Sequence, residues 1–145
     1  MNVAMTTPDR GMAQISPELA VSETDAGANV TVAAIDDASC AAGLGDGRVL
    51  RIGEAGVETV ARHGGAVTGL ALGVDGVILS TGQDGTLMRG GVPIFRARDA
   101  AWITGLACMR ETIAVAFDRS VVALGPEGDL RARFDAHPST VAGVA

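Results

Sequence analysis

A five-residue pattern recurs along the chain at a nearly constant spacing. VTGLA at residues 67–71 returns as ITGLA at 103–107 and as VAGVA at 141–145, and VTVAA at 30–34 is a weaker copy. The copies begin at residues 30, 67, 103 and 141, so their spacings are 37, 36 and 38 residues. Self-similarity at such a period indicates that one structural unit is repeated and that each unit buries its apolar face against the next.

A turn signal runs in phase with this pattern. Asp46-Gly47 and Asp84-Gly85 each lie between two β-type runs, and the segment from Phe117 to Ser120 is a degenerate third copy. Asp-Gly is a strong hairpin signal because glycine accepts the positive φ of a primed turn. In the second unit, these signals predict four strands, near residues 67–72, 77–81, 86–89 and 92–96.

The runs between the turns are short, β-branched and bounded by glycine, which leaves no room for the helices of ankyrin or tetratricopeptide units of similar period. The sequence therefore predicts an all-β fold, a β-propeller of four-stranded antiparallel blades that form an incomplete ring. We expect residues 1–25 to be a flexible lead-in with one short closing strand near residues 18–21. The predicted blades are residues 26–62, residues 63–98, residues 99–136 and, as the start of a fourth blade, residues 137–145.

Composition excludes several function classes. The chain of 145 residues contains no lysine and carries a formal net charge of -6. This negative charge disfavours binding to the phosphate backbone of nucleic acid. Without lysine there is no P-loop lysine, Schiff-base lysine or pyridoxal-phosphate anchor. No apolar run approaches the roughly 18 residues of a membrane span, and no secretory signal is present. The sequence therefore predicts a cytoplasmic protein with no cofactor and no membrane contact.

The stretch HGGAVTGLALGVDGVILSTGQDGTLMR, residues 63–89, is similar to the WD-repeat family over most of one blade. In that family, a histidine before the inner strand, a serine or threonine on the second strand and an aspartate in the next turn form a buried hydrogen-bond relay that ends on a tryptophan. The resemblance implies this structural role for His63, Ser80 and Asp84, and for His137 in the fourth blade. It covers residues 26–145.

The chain also departs from the WD-repeat pattern. The tryptophan-aspartate pair is missing, since the residues six after the turn aspartates are Ile52, Gly90 and Leu124. Ala26 and Asp99 stand where blades one and three would carry the histidine. A quinoprotein-type propeller, whose blades also contain an Asp-Gly hairpin, remains the alternative.

Two catalytic or metal-binding interpretations compete with the structural relay. His63, Ser80 and Asp84 contain the residue types of a hydrolase triad, but no G-x-S-x-G elbow accompanies them and their phase with the repeat favours a relay. His63, His137, Cys40 and Cys108 lack the close-paired spacing of a zinc site. We therefore expect no metal, and we expect both cysteines to be free thiols in β-type runs.

Three residues are candidates for contacting a partner. Trp102 directly precedes the third inner strand, and Gln83 and Phe117 precede the turn aspartates of blades two and three. By the resemblance, these positions open onto one face of the disc, where exposed aromatic residues often anchor protein interfaces. Packing of Trp102 against a neighbouring blade is the competing interpretation.

The predicted function is a non-catalytic protein-interaction scaffold. The alternative is a propeller-based hydrolase or quinoprotein-like oxidoreductase whose active site lies in other blades. Because closed rings need roughly four to eight blades, we expect the chain to be either a fragment of a longer propeller or a subunit that assembles into a homo-oligomer. The identity of the protein partner does not follow from the sequence.

Overall fold

The computed structural model describes residues 23–37 and 39–145 of the chain. In these residues the chain folds into three antiparallel sheets of four strands each, and every sheet is a simple meander in which each strand pairs with the next along the chain. The sheets do not close into a ring. The predicted all-β fold and the count of four strands per unit are confirmed. The short strand predicted near residues 18–21 lies outside the described residues.

Each sheet corresponds to one repeat of the sequence, and we refer to the sheets as blades one, two and three. The strands of blade one are β1 Val30–Ile35, β2 Cys40–Leu44, β3 Arg48–Gly53 and β4 Gly56–Arg62; those of blade two are β5 Val67–Leu72, β6 Ile78–Gly82, β7 Thr86–Arg89 and β8 Val92–Arg96; those of blade three are β9 Ile103–Met109, β10 Thr112–Phe117, β11 Ser120–Leu124 and β12 Leu130–Phe134. A short 3-10 turn, Arg98–Ala100, precedes β9. The strands predicted for blade two match within one residue.

The first strands of the blades lie side by side, with β5 packed between β1 and β9. The Thr31 hydroxyl on β1 donates to the carbonyl of Val67 on β5 across 2.7 Å and so ties blade one to blade two. Two apolar clusters fill the spaces between neighbouring blades. One is centred on Val49, Val67 and Ile78 and the other on Leu79, Leu87, Ile113 and Val122.

The segment after blade three differs from its prediction. Residues 137–145 were expected to start a fourth blade, but they form no strand. They nevertheless take the place of the first strand of that blade. The Thr104 hydroxyl donates to the Val141 carbonyl across 2.7 Å, which repeats the bond from Thr31 to Val67 one blade later.

Among the residues that the structure describes, no helix is long and apolar enough to cross a membrane.

Candidate interaction face

A buried hydrogen-bond relay joins three side chains of blade two. His63 lies before β5, Ser80 on β6 and Asp84 in the turn between β6 and β7. The His63 ring contacts Asp84 Oδ1 through Nδ1 at 3.2 Å and Ser80 Oγ through Nε2 at 2.9 Å. An ionised carboxylate can only accept, so Nδ1 carries the proton, and the Nε2 of a neutral ring accepts from the Ser80 hydroxyl.

Asp84 organises the backbone around this relay. Its two carboxylate oxygens also accept from the N–H groups of Gly64, at 2.9 Å, and Thr86, at 3.1 Å. Burial opposes the charged form of Asp84, but these two bonds and the His63 ring outweigh it and hold the pKa of Asp84 below its ordinary value. The charged carboxylate thus connects the segment before β5 to the turn before β7.

The burial of the relay opposes the hydrolase interpretation. A catalytic serine must reach its substrate, whereas Ser80 is only 1% exposed and the His63 ring lies beneath the surface. Each of the three side chains is already engaged by another member of the relay. The arrangement therefore acts as a structural connection inside the blade.

The other two blades fill the space of the His63 ring with apolar side chains. A Cβ on Gly82 would lie 2.7 Å from the His63 ring, so the ring occupies the volume beside this glycine. Strand register makes Leu44 of blade one and Phe117 of blade three equivalent to Gly82. Both side chains are buried. Only blade two, therefore, has a polar relay at this position.

The prediction that Phe117 faces a partner is consequently wrong. The turn of blade three contains only Asp118 and Arg119 between the paired residues Phe117 and Ser120, whereas three residues separate β6 from β7. This shorter turn shifts Phe117 by one position, and a shift of one residue moves a side chain to the opposite face of a strand. Phe117 is 3% exposed and packs against Phe95, with 5.8 Å between the ring centroids.

His137 does not join a relay of the kind seen in blade two. Its Nδ1 donates to the Ser139 carbonyl across 2.8 Å, and its ring meets the Phe134 ring edge-on. In blade three, Ser120 instead donates to Asp135 across 2.7 Å. Within the described residues, no serine and aspartate of a fourth blade reach His137.

Trp102 is exposed on the surface. Its residue exposure is 59%, the segment before it contains Asp99 and Ala100 with φ of 54° and 52°, and this turn packs on Gly85. A left-handed conformation is unusual for residues other than glycine and often accompanies functional loops. The Gln83 side chain is less available to a partner, because its oxygen accepts a hydrogen bond from the Ala66 N–H at 3.2 Å.

A charged cleft of about 450 Å³ is lined in part by Ala101, the residue directly before Trp102. Six of its lining residues are charged, three of each sign: Arg98, Asp99, Asp118, Arg119, Arg133 and Asp135. Hydrogen bonds from Arg133 and Ser120 lower the pKa of Asp135. The side chains of Asp99 and Asp118 make no hydrogen bond among the described residues, whereas the charge of Arg98 acts on Asp135 and also lowers its pKa. We call Trp102, Arg98, Asp99 and Asp118 the Trp102 patch.

Solved structures share this arrangement of blades. The computationally designed protein Ika4 matches with 20% identity over 84% of this chain and 82% of its own, at a TM-score of 0.71. The RRP9 WD40 repeats match with 17% identity over 83% of this chain, at 0.67, and a chain of the mitotic checkpoint complex matches with 18% identity over 83%, at 0.68. The fold is that of a partial WD40-type propeller.

This chain spans 42% of the RRP9 and mitotic checkpoint chains, and 39% of the designed protein Ika8, so it corresponds to part of those propellers. At these identities, the comparison concerns the fold alone. No protein-family model matches the sequence, and no curated protein matches it either.

The WD40-type relay is shortened here. Across β6 and β7, Ser80 pairs with Met88, and the position six after Asp84 is Gly90, so that the relay stops at Ser80 without a tryptophan. Thr86 Oγ1 lies buried without a partner in the described residues. The sequence signals located His63, Ser80 and Asp84, whereas His137 joins no such relay among the described residues, and residue spacing alone did not identify the apolar replacements in blades one and three.

A second pocket, of about 260 Å³, opens between blades two and three and was not predicted from the sequence. Leu79, Ile113 and Cys108 line it, and Asp75 and Arg89 form an ion pair at its rim. Burial and the Asp75 carboxylate raise the pKa of the Cys108 thiol. Cys40 and Cys108 are both free, and no described group of three His, Cys, Asp or Glu side chains could hold a metal.

Proposed function

We propose that this chain is a non-catalytic protein-interaction scaffold whose Trp102 patch contacts a protein partner. The observation that carries the proposal is the 59% exposure of Trp102, which directly follows a wall residue of a cleft lined by three charged residues of each sign. Large aromatic residues with a polar rim are the usual anchors of protein interfaces. The WD40-type fold supports the same interpretation, since propeller blades present loop-built faces. Nothing in the described residues favours the enzyme alternative.

The charged residues of the patch fit a partner with both signs of charge. Asp99 and Asp118 would each gain a counter-ion at the interface, while Trp102 supplies apolar area. Charges of this kind guide the orientation and rate of association more than they raise affinity. The indole then supplies most of the binding free energy.

Replacing Trp102 with alanine is expected to weaken partner binding by about tenfold or more, the loss typical of a central aromatic anchor. The partner is first captured with a photo-crosslinking amino acid at position 102, and the affinities of the wild type and the variant for it are then measured. Val74, which is 79% exposed in the turn between β5 and β6, provides the control for both the crosslink and the alanine substitution.

The thermal midpoint of the Trp102→Ala variant should equal that of the wild type, because the side chain is largely outside the core. Trp102 is also the single tryptophan of the chain, so quenching of its fluorescence by acrylamide reports on this site alone. Inaccessibility to acrylamide, or equal affinity of wild type and variant for the captured protein, would contradict the proposal.

A further inference from the structure

Neighbouring blades meet through matching rows of side chains. The forward row of a blade crosses its four strands on the face towards the next blade, and the rear row crosses them on the opposite face. The forward row of blade two consists of Ala71, Leu79, Arg89 and Val92. The rear row of blade three consists of Cys108, Ile113, Leu124 and Leu130. At their centre, Leu79, Ile113 and Leu124 are buried in one cluster.

Blade three has a forward row of four alanines. The register pairs each with the next across β9 to β12, and the row consists of Ala107, Ala114, Ala123 and Ala132. Unlike Leu79 in blade two, none of these alanines is fully buried, and Ala132 is exposed. Arg89 of blade two is replaced by Ala123 at the equivalent position. The four residues of the row are therefore small and uncharged, and Arg110 lies beside Ala107 and Ala114 at its edge.

Blade one has a complementary rear row. It consists of Ile35, Cys40, Ile52 and Val57, which pair across β1 to β4 at the positions of the rear row of blade three. Ile35 is 81% exposed and Val57 is 46% exposed, whereas the equivalent of Ile52 in blade three, Leu124, is fully buried. Relative to the described residues, Ile35 and Val57 thus lie exposed, and Ile52 half-buried, on the face that in blades two and three packs against a preceding blade.

We infer that the forward row of blade three binds the rear row of blade one from a second copy of this chain. The contact continues the interface between blades two and three, with the branched side chains of Ile35, Ile52 and Val57 placed against the alanine row. Burial of apolar area is the driving force, at roughly 25 cal/mol per Å². Since the two faces differ, the contact is head-to-tail, and two copies supply six blades, within the roughly four to eight of closed rings.

Residues 141–145 occupy the place on β9 that β1 of the second copy would take in this contact. Gly143 lies against Gly105 of β9, and Val141 is bound by the Thr104 hydroxyl and by the Asp118 carbonyl. In the second copy, Val30 begins the strand at the equivalent repeat position, so β1 of the second copy replaces this segment on β9. Assembly is therefore expected to release residues 141–145, which faster hydrogen exchange of the Val141 amide would report.

The experiment measures mass by light scattering after size exclusion, over a concentration series of the full chain. The wild type is expected to reach twice the mass of one chain. Ile35→Glu blocks the rear row and Ala114→Glu the forward row, and each variant alone is expected to stay at the mass of one chain. Val74→Glu is the matched control, because Val74 is as exposed as Ile35 but belongs to neither row.

Mixing the two variants is the decisive step. The intact forward row of the Ile35→Glu variant can bind the intact rear row of the Ala114→Glu variant, so the mixture is expected to form a one-to-one complex that neither variant forms alone. A wild type of single-chain mass throughout, dimers of either variant, or a mixture that stays monomeric would each overturn the inference. Circular dichroism melts verify that both variants are folded, and Ile35→Ser replaces Ile35→Glu if the latter is not.

Discussion

Replacing Asp84 with alanine is expected to lower the free energy of unfolding by about 1 to 3 kcal/mol, the usual cost of leaving buried hydrogen-bonding groups without partners. Three donors lose their acceptor at once: the His63 ring and the N–H groups of Gly64 and Thr86. Water reaches part of this site, because the Asp84 side chain is 21% exposed, and this limits the loss. Chemical denaturation of wild type and variant measures it.

Asp46→Ala is the matched control for this substitution. Asp46 occupies the same turn position in blade one, where its carboxylate accepts from the Arg48 N–H and side chain at the surface, and blade one has no relay. We expect Asp46→Ala to change stability much less than Asp84→Ala. Equal losses for the two variants would show that the turn aspartate matters for the hairpin alone and that the relay contributes nothing.

The contribution of Asp84 should also depend on pH with a defined sign. Because its pKa is lower in the folded protein than its ordinary value of 3.8, the carboxylate stabilises the fold above that value. The contribution is lost as the pH falls through the lowered folded pKa. The difference in stability between the wild type and Asp84→Asn should therefore be constant near neutral pH and shrink below about pH 4. A difference that grows on acidification would contradict the assignment.

The strands were predictable from sequence because their signals are local. Gly47 and Gly85 have φ of 92° and 72°, the conformation for which an Asp-Gly turn is selected, and the strands on either side follow directly. Blade three has no glycine in the corresponding turn, and Asp118 itself takes φ of 49°. The turn is shorter by one residue there, and this is why the position of Phe117 was predicted on the wrong face.

The relay was predictable only in part, for a different reason. The spacing of His63, Ser80 and Asp84 follows a pattern, so the resemblance located them. The replacement of the His63 ring by Leu44 and Phe117 depends on which side chains share one volume in three dimensions, and no spacing encodes that. One signal was nevertheless present: the two blades without the histidine, at Ala26 and Asp99, are those with a large side chain at the position of Gly82.

The surface features were likewise predictable only in part. The exposure of Trp102 could be anticipated, since a lone large aromatic residue stood where the other blades have small or polar residues. The bond from Ala66 to Gln83 and the cleft beside Trp102 could not, because both arise from loops that approach one another across the blades. The alanine row of blade three is likewise invisible until strand register brings four residues from four strands into line.

A paired substitution on the first two strands of blade one is expected to have a large and partly reversible effect. In every blade, the third residue of the first strand faces one residue of the second strand, and these pairs are Val32 with Gly43, Gly69 with Thr81, and Gly105 with Ala116. Each pair thus contains one glycine and one side chain. In blade one the side chain comes from the first strand, whereas in blades two and three it comes from the second strand.

The reason lies in the space between the blades. A Cβ on Gly43 would lie 2.4 Å from Val67 Cγ1 and 2.8 Å from both Val67 Cβ and Val32 Cγ1, so both valines exclude a side chain at position 43. Gly43→Thr alone is therefore expected to cost about 3 kcal/mol through overpacking. Val32→Gly alone is expected to cost about 1 to 2 kcal/mol, from lost packing and from the added freedom of the chain.

The double variant Val32→Gly with Gly43→Thr rebuilds in blade one the pair that blade two forms between Gly69 and Thr81. It should be more stable than the sum of the single losses predicts, by about 0.5 to 1 kcal/mol of coupling, since it removes the contact with Val32 while the contact with Val67 remains. The unfolding free energies of the wild type, the two single variants and the double variant, measured by denaturant unfolding, give this coupling. Strictly additive losses of unfolding free energy would contradict the prediction. They would mean that Val67 alone excludes a side chain at position 43 and that residues 32 and 43 are not coupled.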